Sequence, residues 1–284
     1  MPDKNRLFLA AIFLVIFNVL IWNFVVFGAA NDNFEIYFLD VGQGDSQLVI
    51  LPGGVKTLID GGPDNRILKE LSSLLPFNRY IDLVILTHAQ KDHFSGLIDV
   101  LKRYKVGVFI FNGRPGTTAD FKDLGKAVEE SGAKIVVFGE KDKIKYRENY
   151  FYVFSPSRSL LSGKEINDSS LVIKLVSGGI GALFTGDMTL AAENYIIEKY
   201  GSDLDVDILK VGHHGSKYAS SENFLKIVSP KISVIEVGKN SYGHPTIEAL
   251  NRLTAAGSKI FRTDKDGTVK LVIKNQKISV FKKK

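Results

Sequence analysis

The residues best suited to chemistry in this sequence are five histidines and the aspartates beside them. Two of the histidines, His88 and His93, share one short segment with Asp92. The other three are His213, His214 and His244. A glycine stands near each histidine, which predicts that all five lie in loops rather than on an apolar face. Because imidazole and carboxylate groups suit zinc, manganese or iron, the pattern predicts a metal centre assembled from several loops.

The segment from His88 to His93 follows the apolar run 81–86, which is typical of a buried strand, and precedes a helix that starts near Leu97. Side chains on such a strand-to-helix turn converge at the carboxyl edge of a sheet. The spacing His-x-x-x-Asp-His directs His88 to one side of the turn, and Asp92 with His93 to the other.

Two further aspartates, Asp60 and Asp187, also follow predicted strands. Hydrolysis by a bound metal needs fixed ligands, an open coordination position and a water whose pKa the ion lowers. An aspartate on a separate strand, such as Asp187, can bridge two ions about 3.5–4 Å apart. The residues therefore predict a metal-dependent hydrolase.

Composition narrows the class of protein. The 284 residues are 45% hydrophobic and 24% charged, which is typical of a globular protein, and the net charge of +6 is compatible with a nucleic acid or an anionic surface as partner. Cysteine is absent, which excludes disulfides, cysteine zinc sites and a thiol nucleophile.

A long apolar stretch over residues 7–30 follows Lys4 and Arg6. About 20 apolar residues span a bilayer as a helix, whereas the apolar core of a secretory signal has about 7–15. The stretch therefore predicts an uncleaved single-pass membrane anchor over residues 1–30. Because the positive charges precede it, the remainder of the chain is expected outside the cytoplasm. Cleavage near Ala30, which would give a secreted protein, is the alternative.

After the anchor, strands, loops and helices alternate. Helices are predicted over 65–75, 119–131 and 245–256, strands with turns over 141–161, and two closing strands from 269 to 281. This alternation predicts an α/β (α+β) domain over residues 31–284, with two sheets and flanking helices.

Seven short segments together carry a resemblance to a known family. They are LDVGQGD at 39–45, IDGG at 59–62, 88–96, NDSSL at 167–171, TGD at 185–187, KVGHHGS at 210–216 and YGHP at 242–245. Arg262-Thr263-Asp264 with Gly267 also fits. With these segments the chain resembles the metallo-β-lactamase superfamily, and within it the ComEC-like hydrolase domains of competence proteins, over nearly all of residues 34–280.

The resemblance implies a four-layer αββα sandwich with metals at the sheet edges. It implies that His88 serves a first metal ion and that Asp92, His93 and His244 serve a second. Asp187 would bridge the two ions. His244 could instead be only a turn residue before Pro245.

The resemblance also implies catalytic roles for the loop of His213 and His214 over the open coordination face. There it would hold a phosphate oxygen or protonate the leaving group, with His214 favoured. Asp60 would orient the metal loop through hydrogen bonds. Asp45 is expected at the same edge, either in the site or stabilising its turn.

Two positions depart from the family pattern. Gln90 stands where a histidine or aspartate is usual, and its neutral amide oxygen is a weaker ligand. The family's remaining first-metal histidine falls here at Asn167-Asp168, where Asp168 could substitute or could support a turn. The expected cofactor is therefore Zn²⁺ or Mn²⁺, as one or two ions. Lys91 adds a positive charge that would attract a phosphate.

The leading hypothesis is a membrane-anchored metal-dependent phosphodiesterase or nuclease that acts outside the cytoplasm on DNA, with single-stranded DNA as a candidate substrate. One alternative is another ester, such as a phosphocholine headgroup, a nucleotide or a lactone. Another is a binding or scaffold domain with a weakened metal centre. The sequence identifies no protein partner.

Overall fold

The computed structural model describes residues 4–27 and 33–284. Helix α1 (Lys4–Phe27) is the one helix in these residues that is long and apolar enough to cross a membrane, with a mean hydropathy of 2.0 over its best window. Its residues 4–22 are all exposed, so the helix buries none of this apolar surface against the rest of the protein. The predicted boundary at residues 30 and 31, and the alternative cleavage near Ala30, fall outside the described residues.

The strands of the described residues form two sheets. The strands of the first sheet are β1 (Phe34–Phe38), β2 (Gln47–Ile50), β3 (Lys56–Ile59), β4 (Tyr80–Ile85), β5 (Lys105–Phe111), β6 (Lys134–Val137), β14 (Val269–Lys274) and β15 (Lys277–Lys282). Their order across the sheet is β15-β14-β1-β2-β3-β4-β5-β6.

The strands of the second sheet are β7 (Lys143–Tyr146), β8 (Asn149–Ser155), β9 (Val172–Ser177), β10 (Ile180–Phe184), β11 (Ile208–Lys210), β12 (Ile232–Ile235) and β13 (Lys259–Arg262). Their order is β13-β12-β11-β10-β9-β8-β7.

Each sheet combines an antiparallel part with a parallel part. The run from β3 to β6 is parallel in the first sheet, and the run from β10 to β13 is parallel in the second. Loops that leave the carboxyl ends of parallel strands emerge on one edge of their sheet. The chemistry-bearing segments at 60–62, 86–93, 185–187 and 211–216 all follow such strands.

Helices cover the outer faces of the two sheets. The helices after α1 are α2 (Arg66–Leu74), α3 (Lys91–Arg103), α4 (Ala119–Ser131), α5 (Arg158–Ser162), α6 (Leu190–Tyr200), α7 (Glu222–Val228), α8 (Ile247–Ala255) and α9 (Thr263–Asp266). Residues of α2, α3 and α4 pack in one core cluster with the first sheet, and residues of α6, α7 and α8 pack in another with the second. The predicted αββα sandwich is confirmed.

The central core lies between the two sheets. Phe38 of β1 and Phe184 of β10 are buried there, with ring centroids 6.4 Å apart, and Phe151 of β8 belongs to the same cluster. Each such side chain contributes about 1.5–3 kcal/mol through burial. The loops that carry the predicted ligands therefore start from two different sheets. A continuous apolar core fixes the position of these sheets relative to each other.

Two local predictions are corrected. Helix α3 begins at Lys91, well before Leu97, so His93 lies in a helix and not in a loop. Gln90 precedes the helix with an extended backbone (φ −106°, ψ 147°), and the buried Phe94 ring fixes the first turn against Phe121 at 5.3 Å. In the segment 141–161, predicted as strands and turns, α5 forms because the side chain of Ser157 accepts a hydrogen bond from Leu160 N.

Candidate metal centre

Asp60 joins three elements at the floor of the site. It directly follows β3 and has a left-handed backbone with φ 55°. Its carboxylate accepts hydrogen bonds from Thr87 N at 2.8 Å, from Thr87 Oγ1 at 2.7 Å and from His93 Nδ1 at 2.8 Å. Since the Nδ1 atom of His93 is held there, its Nε2 atom faces the opposite way. This is the arrangement that the predicted orienting role of Asp60 requires.

Four predicted site residues form one compact cluster. One ligand atom from each of Asp92, His93, Asp187 and His214 lies within 4.8 Å of the others. Oδ2 of Asp187 is 3.4 Å from Nε2 of His93 and 3.3 Å from Nε2 of His214. Nε2 of His214 is also 3.3 Å from Oδ2 of Asp92. The cluster thus joins α3 and the loop after β4 in the first sheet to the loops after β10 and β11 in the second.

The polar atoms of this region fit a divalent metal. Nε2 of His88, Nε2 of His93 and both carboxylate oxygens of Asp187 are buried and make no hydrogen bond within the described residues. Leaving buried polar groups without a partner costs about 1–3 kcal/mol each, so such atoms in one place indicate a ligand. Two imidazoles and two carboxylates are a suitable donor set for Zn²⁺ or Mn²⁺.

The electrostatics of the cluster also call for positive charge. Burial disfavours the charged forms, but the negative charge of Asp187 outweighs it and raises the pKa values of His93 and His214 well above normal. Burial likewise opposes ionisation of Asp92, yet the hydrogen bond with His214 and the charge of His93 lower its pKa to about 2. The carboxylates therefore stay ionised and attract a cation.

His88 presents a lone pair to the same region. The hydroxyl of Thr87 gives its hydrogen to Asp60, so it accepts from Nδ1 of His88 at 3.0 Å and leaves Nε2 of His88 without a proton. Burial and the neighbouring charge of His93 lower the pKa of His88 to about 3. Its ring centroid is 4.2 Å from that of His93. His88 is thus a neutral imidazole beside the cluster.

A second layer of buried charge supports the cluster from below. Asp45 is fully buried, forms an ion pair with Lys210 and places Oδ1 3.2 Å from Nδ1 of His214. Nδ1 of His214 also donates to the backbone oxygen of Glu236 at 2.8 Å. Nζ of Lys210 donates to Gly186 O at 2.8 Å and lies 3.6 Å from Oδ1 of Asp187. Burial opposes the charge of Lys210, but the aspartates outweigh it and raise the lysine pKa.

Sequence reasoning gave Lys210 no role. The available signal was a lysine inside the otherwise apolar run Ile208-Leu209-Lys210-Val211, whose side chain is fully buried in the structure. Such a lysine needs a partner carboxylate, since lysines are almost never fully buried unpaired. Asp45 is that partner, which places it in the site rather than only in its turn.

The loop of His213 and His214 has a strained backbone. Both residues are left-handed, with φ 49° and 53°, which costs about 1–2 kcal/mol per non-glycine residue. This conformation turns the ring of His214 inward, where it is 3% exposed, and leaves His213 26% exposed. Strain of this kind concentrates at functional sites.

His244 lies outside the four-residue cluster. Asn240 holds its backbone, accepting from His244 N at 3.0 Å and donating to His244 O at 2.8 Å. The ring of His244 therefore faces His213, at 5.6 Å between centroids, and Tyr242, at 5.9 Å. The structure places His214, and not His244, with Asp92 and His93.

The two positions that depart from the family pattern have different partners. Oδ1 of Asp168 accepts hydrogen bonds from Thr189 N at 3.2 Å and Oγ1 at 2.6 Å, just before α6. Asp168 therefore supports a turn, as one of the two alternatives held. Nε2 of Gln90 donates to Oδ1 of Asn167 at 2.5 Å, a contact that the sequence did not predict.

A cavity of about 460 Å³ opens over the cluster. It is lined by Gln43, Pro63, Gln90, Lys91, Asp92, Asn167, His213, His214, Tyr242 and His244. The ammonium of Lys91 at its rim pairs with Asp120 at 2.5 Å and is largely exposed. The cavity brings Asp92 and His214 of the cluster, two further histidines and an exposed aromatic ring within reach of one ligand.

Comparison with known proteins agrees with the fold described above. The family model described as the metallo-beta-lactamase superfamily matches residues 39–238. ComE operon protein 3 of Bacillus subtilis is 32% identical over 85% of this chain and 33% of its own length. Competence protein ComA of Neisseria gonorrhoeae is 32% identical over 72% of this chain and 28% of its own length. The chain thus spans about a third of the length of these relatives.

Solved structures share the fold. The metallo-beta-lactamase fold protein YhfI from Bacillus subtilis has a TM-score of 0.55, with 11% identity over 84% of this chain and 99% of its own. Zn²⁺-bound PqqB from Methylobacterium extorquens has a TM-score of 0.52, with 13% identity over 81% of this chain and 87% of its own.

Proposed function

The chain belongs to the metallo-β-lactamase superfamily, and on that premise we propose that it is a membrane-anchored, metal-dependent phosphodiesterase that cleaves DNA outside the cytoplasm. The observation that carries the proposal is the convergence of Asp92, His93, Asp187 and His214 beneath an open cavity. Members of the superfamily are generally hydrolytic metalloenzymes. One relative is named a competence protein and another a recombination protein, which favours DNA as the substrate.

In this proposal the four residues of the cluster hold one divalent ion, Zn²⁺ or Mn²⁺. When bound, such an ion supplies a Lewis acid and lowers the pKa of a water that attacks phosphorus. Hydrogen bonds at Nδ1 fix the two ligand rings, from His93 to Asp60 at 2.8 Å and from His214 to the backbone oxygen of Glu236 at 2.8 Å, with Asp45 Oδ1 3.2 Å from the latter Nδ1. Both Nε2 atoms are thereby directed at the cluster before any substrate arrives.

The role of acid is assigned to the two cavity histidines outside the four-residue cluster, although Nε2 of His213 lies 3.9 Å from Oδ2 of Asp187. His213 and His244 line the cavity wall with ring centroids 5.6 Å apart. We assign them to contact the phosphate oxygens and to protonate the departing oxygen, because both are partly exposed and line the cavity. His214, which the resemblance favoured for this role, is assigned as a ligand since its ring is buried against Asp187.

The cavity also suits a polymer with exposed bases. Tyr242 lies at its rim with 74% of its surface exposed, and it is not packed into the core. An exposed aromatic face beside a phosphate-binding site is a stacking platform for an unpaired base. Together with the net charge of +6, this favours single-stranded DNA over a small ester.

The apolar helix α1 is assigned as the membrane anchor, with the hydrolase domain on the outer side. The support is its exposed apolar surface over residues 4–22 and the positive residues Lys4 and Arg6 before its apolar part. Protease accessibility of the domain in intact cells, compared with cells opened by detergent, tests this orientation.

The test of activity uses the full chain in detergent micelles with added Mn²⁺ or Zn²⁺. Labelled single-stranded DNA, duplex DNA, bis-p-nitrophenyl phosphate, a phosphocholine ester and a lactone are compared, with Asp187→Asn as the inactive control. We expect cleavage of single-stranded DNA that the control loses. Hydrolysis of the lactone alone would replace the phosphodiesterase by another esterase, and binding of DNA without any hydrolysis would make the protein a binding domain.

A further inference from the structure

Two neutral amides, those of Gln90 and Asn167, line the cavity over the centre. Gln90 ends the loop after β4 in the first sheet, and Asn167 lies in the turn before β9 in the second. Their side chains form a hydrogen bond with each other at 2.5 Å, and Asn167 is 6% exposed. Both side chains line the cavity.

The turn that carries Asn167 is hydrogen-bonded to Asp187 and to Thr87, the residue before His88. Leu171 N donates to Thr87 O at 3.0 Å, directly before His88. Oγ of Ser170 donates to Asn167 O at 2.7 Å and accepts from Asp187 N at 3.2 Å. The turn that carries one member of the amide pair is thus fixed to the segments that carry His88 and Asp187.

The two sides of the centre differ in charge. The compact cluster offers two carboxylates and two imidazoles within 4.8 Å. Outside the cluster, Nε2 of His88 is a buried ligand atom that has no hydrogen-bond partner among the described residues, and no further carboxylate stands beside it in the 88–93 turn. An amide oxygen carries no charge to replace the carboxylate or imidazole of the family pattern, and here one amide group is already used by its neighbour.

We propose that the centre binds a single ion tightly, at Asp92, His93, Asp187 and His214, and that the Gln90–Asn167 pair replaces a second ion as a neutral contact to the substrate. Whichever way the two amides are oriented, one hydrogen bond between them leaves one amide NH₂ group and one carbonyl oxygen available. In either orientation Gln90 keeps at least one free N–H, and this N–H donates to a non-bridging phosphate oxygen. This second part rests on the proposed function, whereas the number of ions does not.

The number of ions is measured on the full chain in detergent, stripped of metal and then titrated with Mn²⁺. Free Mn²⁺ is followed by electron paramagnetic resonance, and bound metal by elemental analysis after dialysis. We expect one tight ion per chain for the wild type. We expect two for the double variant Gln90→Asp and Asn167→His, together with an exchange-coupled Mn²⁺ signal. Gln43→Asp is the matched control, because Gln43 lines the same cavity, and it should keep one ion.

Two wild-type ions whose affinities lie within tenfold of each other would overturn the inference, as would a second ion in the Gln43→Asp control. These outcomes are independent of the proposed function, because no substrate is present. One ion without cleavage of any phosphodiester sustains the metal inference and removes the phosphodiesterase. Two bound ions together with DNA cleavage would overturn the single-ion inference and sustain the phosphodiesterase. If no ion binds, both the single-ion inference and the phosphodiesterase are overturned.

The contact to substrate is tested with Gln90→Ala. A hydrogen-bonding role predicts an unchanged affinity for the single ion and a KM for bis-p-nitrophenyl phosphate raised by about tenfold, the usual effect of one lost hydrogen bond. A merely structural role would instead lower kcat and the free energy of unfolding, and would leave KM unchanged. Weaker binding of the single ion in Gln90→Ala would mean that the amide is itself a ligand, and would overturn the proposal.

Discussion

Nδ1 of His93 lies 2.8 Å from Oδ2 of Asp60, a residue whose own backbone is left-handed at φ 55°. The same carboxylate holds both the backbone and the hydroxyl of Thr87, which in turn accepts from His88. One buried aspartate therefore sets the orientation of two imidazoles on different elements. Since Asp60 touches no substrate space, its contribution passes entirely through those rings.

Asp60→Asn should weaken metal binding without unfolding the protein. The amide is nearly isosteric, but it cannot accept three hydrogen bonds with a full negative charge, so the ring of His93 loses its fixed tautomer. We expect the affinity for Mn²⁺ or Zn²⁺ to fall by about 10–100-fold. Competition with a chromophoric chelator measures it. Asp64→Asn is the control, because Asp64 is exposed and pairs only locally with Arg66, and an equal loss there would contradict the role of Asp60.

The sequence predicts the fold well because its strands and helices are separated by clear turn residues. The apolar helix α1, the two sheets and the grouping of histidines with aspartates all follow from local patterns. The local patterns do not predict which individual residues contact one another. His214 rather than His244 joins Asp92 because two consecutive residues adopt φ near 50°, which no local preference of histidine dictates.

The buried ion pair beneath the site could not be predicted from the sequence for another reason. Lys210 has the sequence context of a buried strand, and only the loop that carries Asp45, 165 positions earlier, supplies its partner. The amide contact of Gln90 with Asn167 is also long-range, since it joins the two sheets across 77 positions. Pairings over such separations depend on the packed sandwich and leave no periodic signal in the chain.

Lys210→Met should destabilise the fold strongly. Nζ of Lys210 is fully buried between Asp45, Asp187 and Gly186 O, so its loss leaves uncompensated buried carboxylates. Removing one partner of a buried ion pair costs about 3–5 kcal/mol. Urea denaturation of the metal-free chain in detergent gives the free energy of unfolding.

The matched control is Lys231→Met. Lys231 forms a pair with Asp207 at 2.6 Å, but its side chain is 76% exposed, and exposed pairs contribute about 0–1 kcal/mol. Equal losses in the free energy of unfolding for the two variants would mean that the buried ion pair of Lys210 stabilises the fold no more than an exposed pair does.

His214→Asn and His244→Asn should separate metal binding from proton transfer. Asparagine tolerates the left-handed backbone of position 214, so the fold is retained. We expect His214→Asn to lower metal affinity by more than about tenfold, because it removes a cluster ligand. His244→Asn should keep its metal and lose about 10²–10⁴-fold in kcat, as expected for a lost proton donor. Metal loss in His244→Asn alone would restore the ligand set that the family resemblance implied.

Tyr242→Ala should act on polymers but not on small esters. Its ring is 74% exposed at the rim of the cavity, 5.9 Å from the ring of His244 and free to stack on a base. Stacking is worth about 1–3 kcal/mol per base, so KM for single-stranded DNA should rise by about 5–150-fold. Bis-p-nitrophenyl phosphate, which reaches the metal without a base at the rim, should keep its kcat and KM. Tyr218→Ala, which removes a 60% exposed ring outside the cavity lining, should change neither substrate, and equal losses on both substrates in Tyr242→Ala would place the ring in the chemistry instead of in base recognition.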